Sequence, residues 1–554
     1  MGVSLFFSRY IQKYFLKHIK FINKDYTVTI ENISLLLDLN GIIHRCCQKV
    51  YKYNKKEVEN VRLTIDNQKK VFYEIINEID NLIKLINPKI LFIAVDGTAP
   101  KAKACQQRTR RFKKKEIKNT FDSNCISPGT KFMEYLHTYI KHNINEKISN
   151  GVWKCKIIYS SHKMPGEGEH KLFKYIREQK EDIERNYIIY GLDADIIILS
   201  LTLPSHIKNV FVLREDLYCK ENDFFLLNID KIKECFIQQI KWIDNNTNKF
   251  NKELGVIDVV LLTFLVGNDF LPHLPGLEIA YMGIENLIKL YKVFGKDNGH
   301  LIYMEDGLTK INLNKLKIFF KFLGRYEEWL ITQKVESNNF YYEDPLLIKY
   351  FGEKKNLEKY KKKYYKKKLK AVLFEDILQN YIYGLIWTLN YYTTNEANWN
   401  YYYPYYYSPF ISDLEKFNYN SIIYSNMLVD NTYPSHSFFT LMCILPSHSL
   451  RFLPPEFGEI KNYECLNKYF PKYFNIDLEG KRKDYEGIPK IEFVNYELFK
   501  DIYDKIIKKV NYKDKIRNKK ENLLIYEYSN ELNYFSKTLY GTIENCKVMM
   551  SIKK

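Results

Sequence analysis

Apolar residues in this chain fall into short unbroken runs set between longer stretches of helical period. Residues 33–39 (ISLLLDL) and 90–95 (ILFIAV) are apolar runs that each meet an aspartate at their end. Residues 187–190 and 196–201 read as a strand on either side of the GLDAD break, and 210–213 (VFVL) as another. Runs of this length suit strands buried on both faces. Helical spacing covers 69–86, 101–118, 130–142, 168–178 and 256–266. Strands alternating with helices predict an α/β fold, with a mixed, mostly parallel sheet flanked by helices. In such sheets polar groups at the C-terminal ends of strands collect in one crevice. Asp38, Asp96 and Asp193 all sit at or just after predicted strand ends.

The start of the chain also has helical spacing, through Phe6, Phe7, Tyr10, Ile11, Tyr14 and Phe15. A core-packing first helix is the favoured reading over an organelle presequence, because an aromatic-rich face wants a partner. Residues 353–370 (EKKNLEKYKKKYYKKKLK) are Lys-rich and read as a solvated helix and linker rather than an RNA grip. A more helical region follows, with YIYGLIWTLNYY at 381–392 and a Tyr-dense stretch at 401–407. Residues 500–554 are basic and carry no legible motif.

Composition narrows the function class. The 554 residues are 46% hydrophobic, enough for a large core and for roughly three or four domain-sized units. Lys and Arg number 85 against 66 Asp and Glu, a formal charge of +19. An excess of this size favours an anionic partner, nucleic acid before membrane surface, although codon bias explains the bulk charge equally well. The longest apolar run, 259–267, is too short to span a bilayer, so no membrane role is expected. The ten cysteines form no C-x-x-C, which argues against a zinc knuckle, and a disulfide framework is not expected in a chain this long without a secretory signal, so a reducing, intracellular setting is expected. The cytoplasm is expected ahead of the nucleus.

Acids then recur in short, separate motifs: Asp38 in LLLDLNG, Asp96 in IAVDGTAP, Glu167 and Glu169 in MPGEGEHK, Asp193 and Asp195 in GLDAD, and Asp269 in VGNDFLPHLP. Singly, each fits a turn or a helix cap. Together they would repel one another unless cations neutralised them, and oxygen-only ligands select hard ions such as Mg²⁺ or Mn²⁺. Glu167 with Glu169, and Asp193 with Asp195, are spaced i, i+2, which places each pair on one side of an extended segment. Two hard ions together clamp the attacking and leaving oxygens of a phosphodiester displacement. Just after Asp96, Lys103, Gln107 and Arg110 fall on one helix face with Arg111 beside them, a donor row that suits a phosphate.

These motifs, in this order, resemble the XRN-type 5′→3′ exoribonucleases, from MGVSLFFSRY through LDLNGIIH, VDGTAPKAKACQQRTRRF, MPGEGEHK, GLDADIIIL and VGNDFLPHLP to WNYYYPYYYSPFISDL and LEGKRKDYEGIPKIEF. The resemblance covers about residues 1–495. It implies a PIN/flap-nuclease-like core. It implies a catalytic nuclease region over 1–352, a Lys-rich linker or helix over 353–370, a second region over 371–499 that encloses the active site, and a basic C-terminal segment over 500–554. It makes Asp38, Asp96, Glu167, Glu169, Asp193, Asp195 and Asp269 the ligands of two Mg²⁺ ions, with Mn²⁺ able to substitute. Lys103, Gln107, Arg110 and Arg111 become the pocket for a 5′-monophosphate, and His44 stacks on the first base. Tyr401 stands where the family places a Trp that completes that stack, and Tyr406 where it has a His. The implied activity is processive hydrolysis of 5′-monophosphorylated single-stranded RNA to nucleoside 5′-monophosphates in RNA turnover, by a monomer. A structure-specific 5′ nuclease on DNA and a catalytically impaired RNA-binding scaffold are the alternatives.

Overall fold

The apolar runs pair into one nine-stranded sheet. Its strands are β1 (Ile19–Ile22), β2 (Ile33–Asp38), β3 (Ile90–Ala94), β4 (Lys156–Ser160), β5 (Asn186–Tyr190), β6 (Val210–Glu215), β7 (Phe224–Asn228), β8 (Leu523–Tyr528) and β9 (Val548–Lys553), in the order β1-β7-β6-β5-β2-β3-β4-β8-β9. The central strands β6, β5, β2, β3 and β4 run parallel. The outer pairings, β1 with β7, β7 with β6, β4 with β8 and β8 with β9, are antiparallel. The sheet is therefore mixed and mostly parallel at its centre, as the periodicity predicts. This computed structural model describes every residue except 1–4, 24–29, 54–63, 115–119, 180–184, 217–223, 244–247, 337–343, 353–354, 371–372, 395–397, 423–431, 482 and 554.

Side chains along β2 alternate between two cores. Leu36 joins Phe92, Ile158, Ile189 and Val212 on one face, while Leu35 and Leu37 join Leu91, Ile93, Ile157 and Ile188 on the other. Burial on both faces explains why these strands lack polar alternation. The chain passes from β2 outward through β3 to β4, then returns to place β5 on the opposite side of β2. That reversal opens a crevice at the C-terminal ends of β2 and β5, and Asp38 and Asp193 stand there.

The helices that position the site are α1 (Leu39–Tyr51), α2 (Ile65–Ile86), α3 (Lys101–Phe112), α4 (Lys131–Ser149), α5 (Gly168–Glu178), α6 (Asp195–Leu201), α7 (Lys252–Leu265), α8 (Leu357–Lys368) and α9 (Phe374–Thr394). Four readings of the sequence change here. Residues 196–201 are helix, not strand, because Ala194 already has helical dihedrals and the Asp195 N–H donates to Asp193 Oδ1 at 3.1 Å. Neither acid pair lies on an extended segment: Glu167 is the N-cap residue of α5 with Glu169 in its first turn, and Asp195 opens α6. The helix expected over 101–118 ends at Phe112, and its last predicted residues, 115–118, lie outside the described ones. The Lys-rich stretch is not merely solvated. Helix α8 buries Tyr360, Lys361 and Tyr364, and Lys361 Nζ lies 3.1 Å from Asp413 Oδ1.

The aromatic N-terminal face packs into the core as expected, with Tyr10 and Phe15 both against Phe236. The second region contributes α9, whose Tyr392 ring meets Phe264 of α7 at 5.2 Å. Residues 500–554 turn out to supply β8 and β9, which extend the central sheet beyond β4. Among the described residues no helix is long and apolar enough to cross a membrane.

Candidate functional site

The seven acids converge on one end of the sheet, but they do so in two ways. Asp38 ends β2 and caps α1 by accepting from the Asn40 N–H at 3.2 Å. Asp96 follows β3, and its Oδ1 accepts from the Gly168 N–H at 2.7 Å, which draws α5 toward the strand ends. One carboxylate oxygen from each of Asp38, Asp96 and Glu169 lies within 4.8 Å of the others. The glycines make this approach possible: a Cβ on Gly168 would stand 2.8 Å from Asp38 Oδ1, and one on Gly97 1.9 Å from the Met164 carbonyl oxygen. Lys171, buried in α5, fastens the same junction by donating to the carbonyls of Val95 at 2.6 Å and Ser161 at 3.0 Å.

Lys103 gathers the other acids. Its ammonium lies 2.8 Å from Asp269 Oδ2 and 4.0 Å from Glu169 Oε1, and it also pairs with Glu167. Gln106 Nε2 donates to Asp269 Oδ1 at 3.2 Å. From the second region, the Tyr391 hydroxyl donates to Glu167 Oε1 at 2.9 Å while its ring stacks on His170 at 3.8 Å. Tyr391 and Lys171 were not singled out from the sequence. Tyr391 lies within an apolar helical run, and nothing local distinguishes it from core.

Crowding leaves its mark on protonation. Burial and then Asp96 push Asp38 up to about 8, against the opposing Asn40 N–H. Burial, Asp193 and Asp269 push Asp195 up to about 8 as well. Burial and Glu167 raise Glu169 well above the usual carboxylate range. Such shifts record burial first and then mutual repulsion that Lys103 relieves only in part. A cluster that offers only carboxylate oxygen, with its charge only partly relieved, fits a hard divalent cation.

A cavity of about 70 Å³ opens beside Asp96. Its walls include Asn40, His44, Gln107, Arg110, Arg111 and Lys114, with Ser123 and Ser127 facing them. The structure thus brings Gln107, Arg110, Arg111 and His44 together as expected, but not Lys103. Helical side chains lean toward the helix N-terminus, so Lys103 in the first turn of α3 reaches back to the acids while the later residues reach the cavity. Arg111 Nη2 donates to Ser127 Oγ at 2.8 Å, and burial followed by Arg110 lowers its pKa to about 9. Burial, then Lys114, Arg110 and Arg111, hold His44 down at about 3, so its ring is uncharged at neutral pH.

Tyr401 does not line this cavity. Its ring packs 5.5 Å from Trp387 and its hydroxyl donates to the Asn380 carbonyl at 2.9 Å, because a buried phenol needs a partner. The neighbouring backbone does reach α3, where the Lys101 N–H donates to the Trp399 carbonyl at 3.0 Å. Tyr406 is likewise tied inward, donating to the Ile491 carbonyl and packing on Phe493 at 4.7 Å.

With this geometry in hand, comparison with known proteins is decisive. Residues 1–119 and 113–216 match the family model described as "XRN 5'-3' exonuclease N-terminus", and residues 249–345 and 354–553 match "Xrn1 helical domain". The chain belongs to the XRN 5′-3′ exonuclease family. Its relatives include 5′-3′ exoribonuclease 1 of Homo sapiens, 31% identical over 90% of this chain, and of Saccharomyces cerevisiae, 27% identical over 98%. The 5′-3′ exoribonuclease 2 homolog of Drosophila melanogaster is 27% identical over 86%. The chain spans 34% of the human relative, 46% of the yeast one and 66% of the fly one. The helical-domain match reaches residue 553 and so takes in β8 and β9, the strands that complete the sheet of this XRN protein.

Proposed function

We propose that this protein is a 5′→3′ exoribonuclease that hydrolyses 5′-monophosphorylated single-stranded RNA to nucleoside 5′-monophosphates. One observation carries the reading: Asp96 belongs both to the carboxylate cluster and to the wall of the basic cavity. A terminal phosphate seated among Arg110, Arg111 and Gln107 would therefore present the first internucleotide linkage to the acids. A cavity of about 70 Å³ has room for one phosphate group, so a triphosphate or a cap would meet its wall.

The cations are Mg²⁺, with Mn²⁺ able to substitute. Asp38, Asp96 and Glu169 would hold one, and Asp193, Asp195 and Asp269 the other. Bound there, they supply Lewis acidity and charge neutralisation at the scissile phosphate. The chain's own residues do the rest. Gly168 and Lys171 hold the acid-bearing loop against β3. Tyr391 orients Glu167 through its hydroxyl. The neutral His44 ring offers a face to the first base without adding charge to the basic cavity. The names of the relatives support an exoribonuclease over a DNA flap nuclease, and all seven acids are present, which argues against an impaired scaffold.

The test compares 5′-phosphate and 5′-hydroxyl RNAs of one sequence with Mg²⁺, with the products resolved chromatographically. Faster decay of the phosphorylated RNA to mononucleotides is expected. Equal decay of both, or release of longer fragments, would overturn the reading.

A further inference from the structure

Lys114 lines the basic cavity, two residues beyond Phe112, the last residue of α3. Its ammonium donates to Ser123 Oγ at 2.6 Å. The adjacent Lys113 points the other way, to the Gly487 carbonyl at 3.1 Å, on the opposite side of the helix. Neither lysine is distinguishable in the FKKK run, and only the fold separates them.

The partners of the cavity cations are informative. Arg111 is tethered to Ser127 Oγ and Lys114 to Ser123 Oγ, both neutral hydroxyls. Neither forms an ion pair with an acid among the described residues, and neither does Arg110. The nearby Asp122 is committed elsewhere: it accepts from Ser449 Oγ at 2.6 Å and pairs with Arg451 at 3.2 Å. A hydroxyl tether fixes the position of a cation and leaves its charge for a ligand, where a carboxylate tether would cancel it. An ammonium with three donors that spends one on Ser123 keeps two for such a ligand. Lys114 lines the same cavity as His44, so it stands close to where a first nucleotide would lie. Three cations facing about 70 Å³ repel one another, and a terminal phosphate near −2 would relieve all three.

We propose that Lys114 is a further 5′-phosphate-binding residue and sets how strongly this chain discriminates 5′-phosphorylated from 5′-hydroxyl ends. The proposal rests on the exoribonuclease reading above. Its test measures kcat/KM for both RNA ends in the wild type and in the variants Lys114→Met, Lys114→Arg and Ser123→Ala. Lys114→Met should lower the phosphate-to-hydroxyl preference by roughly tenfold, mostly through KM, as expected for one charge-assisted contact. Lys114→Arg should restore most of it. Ser123→Ala, which removes the tether and keeps the charge, should cost less than Lys114→Met. An unchanged preference in Lys114→Met, or an equal loss with both RNA ends, would overturn the proposal and leave the exoribonuclease reading intact. A wild type without any preference would overturn both.

Discussion

Helix α3 separates two clusters of like charge that relieve their crowding differently. Toward its first turn, seven carboxylates converge and the protein answers with its own cation, the Lys103 ammonium held by Asp269, Glu167 and Glu169. Toward its last turn, Arg110, Arg111 and Lys114 converge, and the protein tethers Arg111 and Lys114 to the neutral Ser127 and Ser123 hydroxyls and the Gln107 carbonyl, with no acid paired to them among the described residues. The acid side is thus partly self-neutralised and can persist without a ligand. The basic side has no paired acid among the described residues, and burial lowers Arg111 to about 9 and Lys114 to about 8. A stand-in cation suits a site that must wait for metal and then accept it, while an unneutralised pocket suits a site whose ligand arrives anew with each substrate end.

The largest break in this comparison should come from Asp195→Asn. Burial, Asp193 and Asp269 already raise this carboxyl to about 8, so a neutral amide resembles its protonated form. We expect RNA hydrolysis to fall at least about a hundredfold, as for loss of a metal ligand, while the metal-free protein melts no lower than wild type. A fall of several degrees in melting temperature would show that the acid is there for stability, and the contrast between the two sides would fail.

Lys103→Met sharpens the same point from the opposite direction. If the ammonium is a stand-in, its removal takes away a competitor, and Mn²⁺ should bind tighter by roughly tenfold, about one pK unit of electrostatic relief. Weaker Mn²⁺ binding, read by calorimetry or Mn²⁺ resonance, would mean that Lys103 organises the acids rather than replaces a cation.

Protonation offers a gentler probe. Asp38 and Asp195 are raised to about 8 in the metal-free protein, so both carry protons at pH 7. Metal binding must displace them. We expect proton uptake by buffer on Mg²⁺ addition at pH 7, and metal affinity that climbs from pH 6 to pH 8. The stability of the metal-free protein has the opposite slope. A carboxyl raised above its unfolded value near 4 stabilises the fold below that value, and this contribution is lost as pH rises through about 8. Saturating Mg²⁺ should remove that loss. Metal binding without proton release at pH 7 would deny the crowding on which the comparison rests.

Much of this was legible in the sequence, because buried parallel strands and acid motifs are local signals. Residues 33–38 and 90–94 announce themselves as strands, and each leads into its aspartate. The run IIILSL after Asp195 could not be assigned by periodicity, since a fully buried helix and a fully buried strand are both apolar all round. Lys103 shares a face with Gln107 and Arg110 by spacing, yet the lean of helical side chains sends it to the acids. Tyr401 was placed by its position in a motif, but its ring is claimed by Trp387 and its hydroxyl by the Asn380 carbonyl. The buried Tyr360 and Tyr364 of α8 were masked by the lysines around them. Least legible was the C-terminal segment, because the pairing of Leu524 with Tyr159 joins residues with no local cue to each other.

That segment carries the smallest expected effect. Glu521 sits just before β8 and touches the loop that leads from β4 to the acids: Ser161 Oγ donates to its Oε2 at 3.4 Å, Lys163 Nζ is 3.4 Å from its Oε1, and His137 Nε2 is 3.3 Å from its Oε2. Lys171 meets the same loop from the other side, through the Ser161 carbonyl. Although burial opposes its charge, His137 and Lys163 hold Glu521 down at about 2. A depressed carboxylate stabilises the fold above its unfolded value, and this contribution disappears as pH falls toward about 2. Glu521→Gln should therefore lower the melting temperature by about 1–3 °C at pH 7, with the difference from wild type shrinking below about pH 4. Activity and metal affinity should change by less than about threefold, because Lys171 and the Gly168–Asp96 bond still hold the acids. A loss as large as that of Asp195→Asn would mean that the edge of the sheet, and not α3 alone, sets the geometry of the acidic side, so the two clusters could no longer be compared as the two ends of one helix.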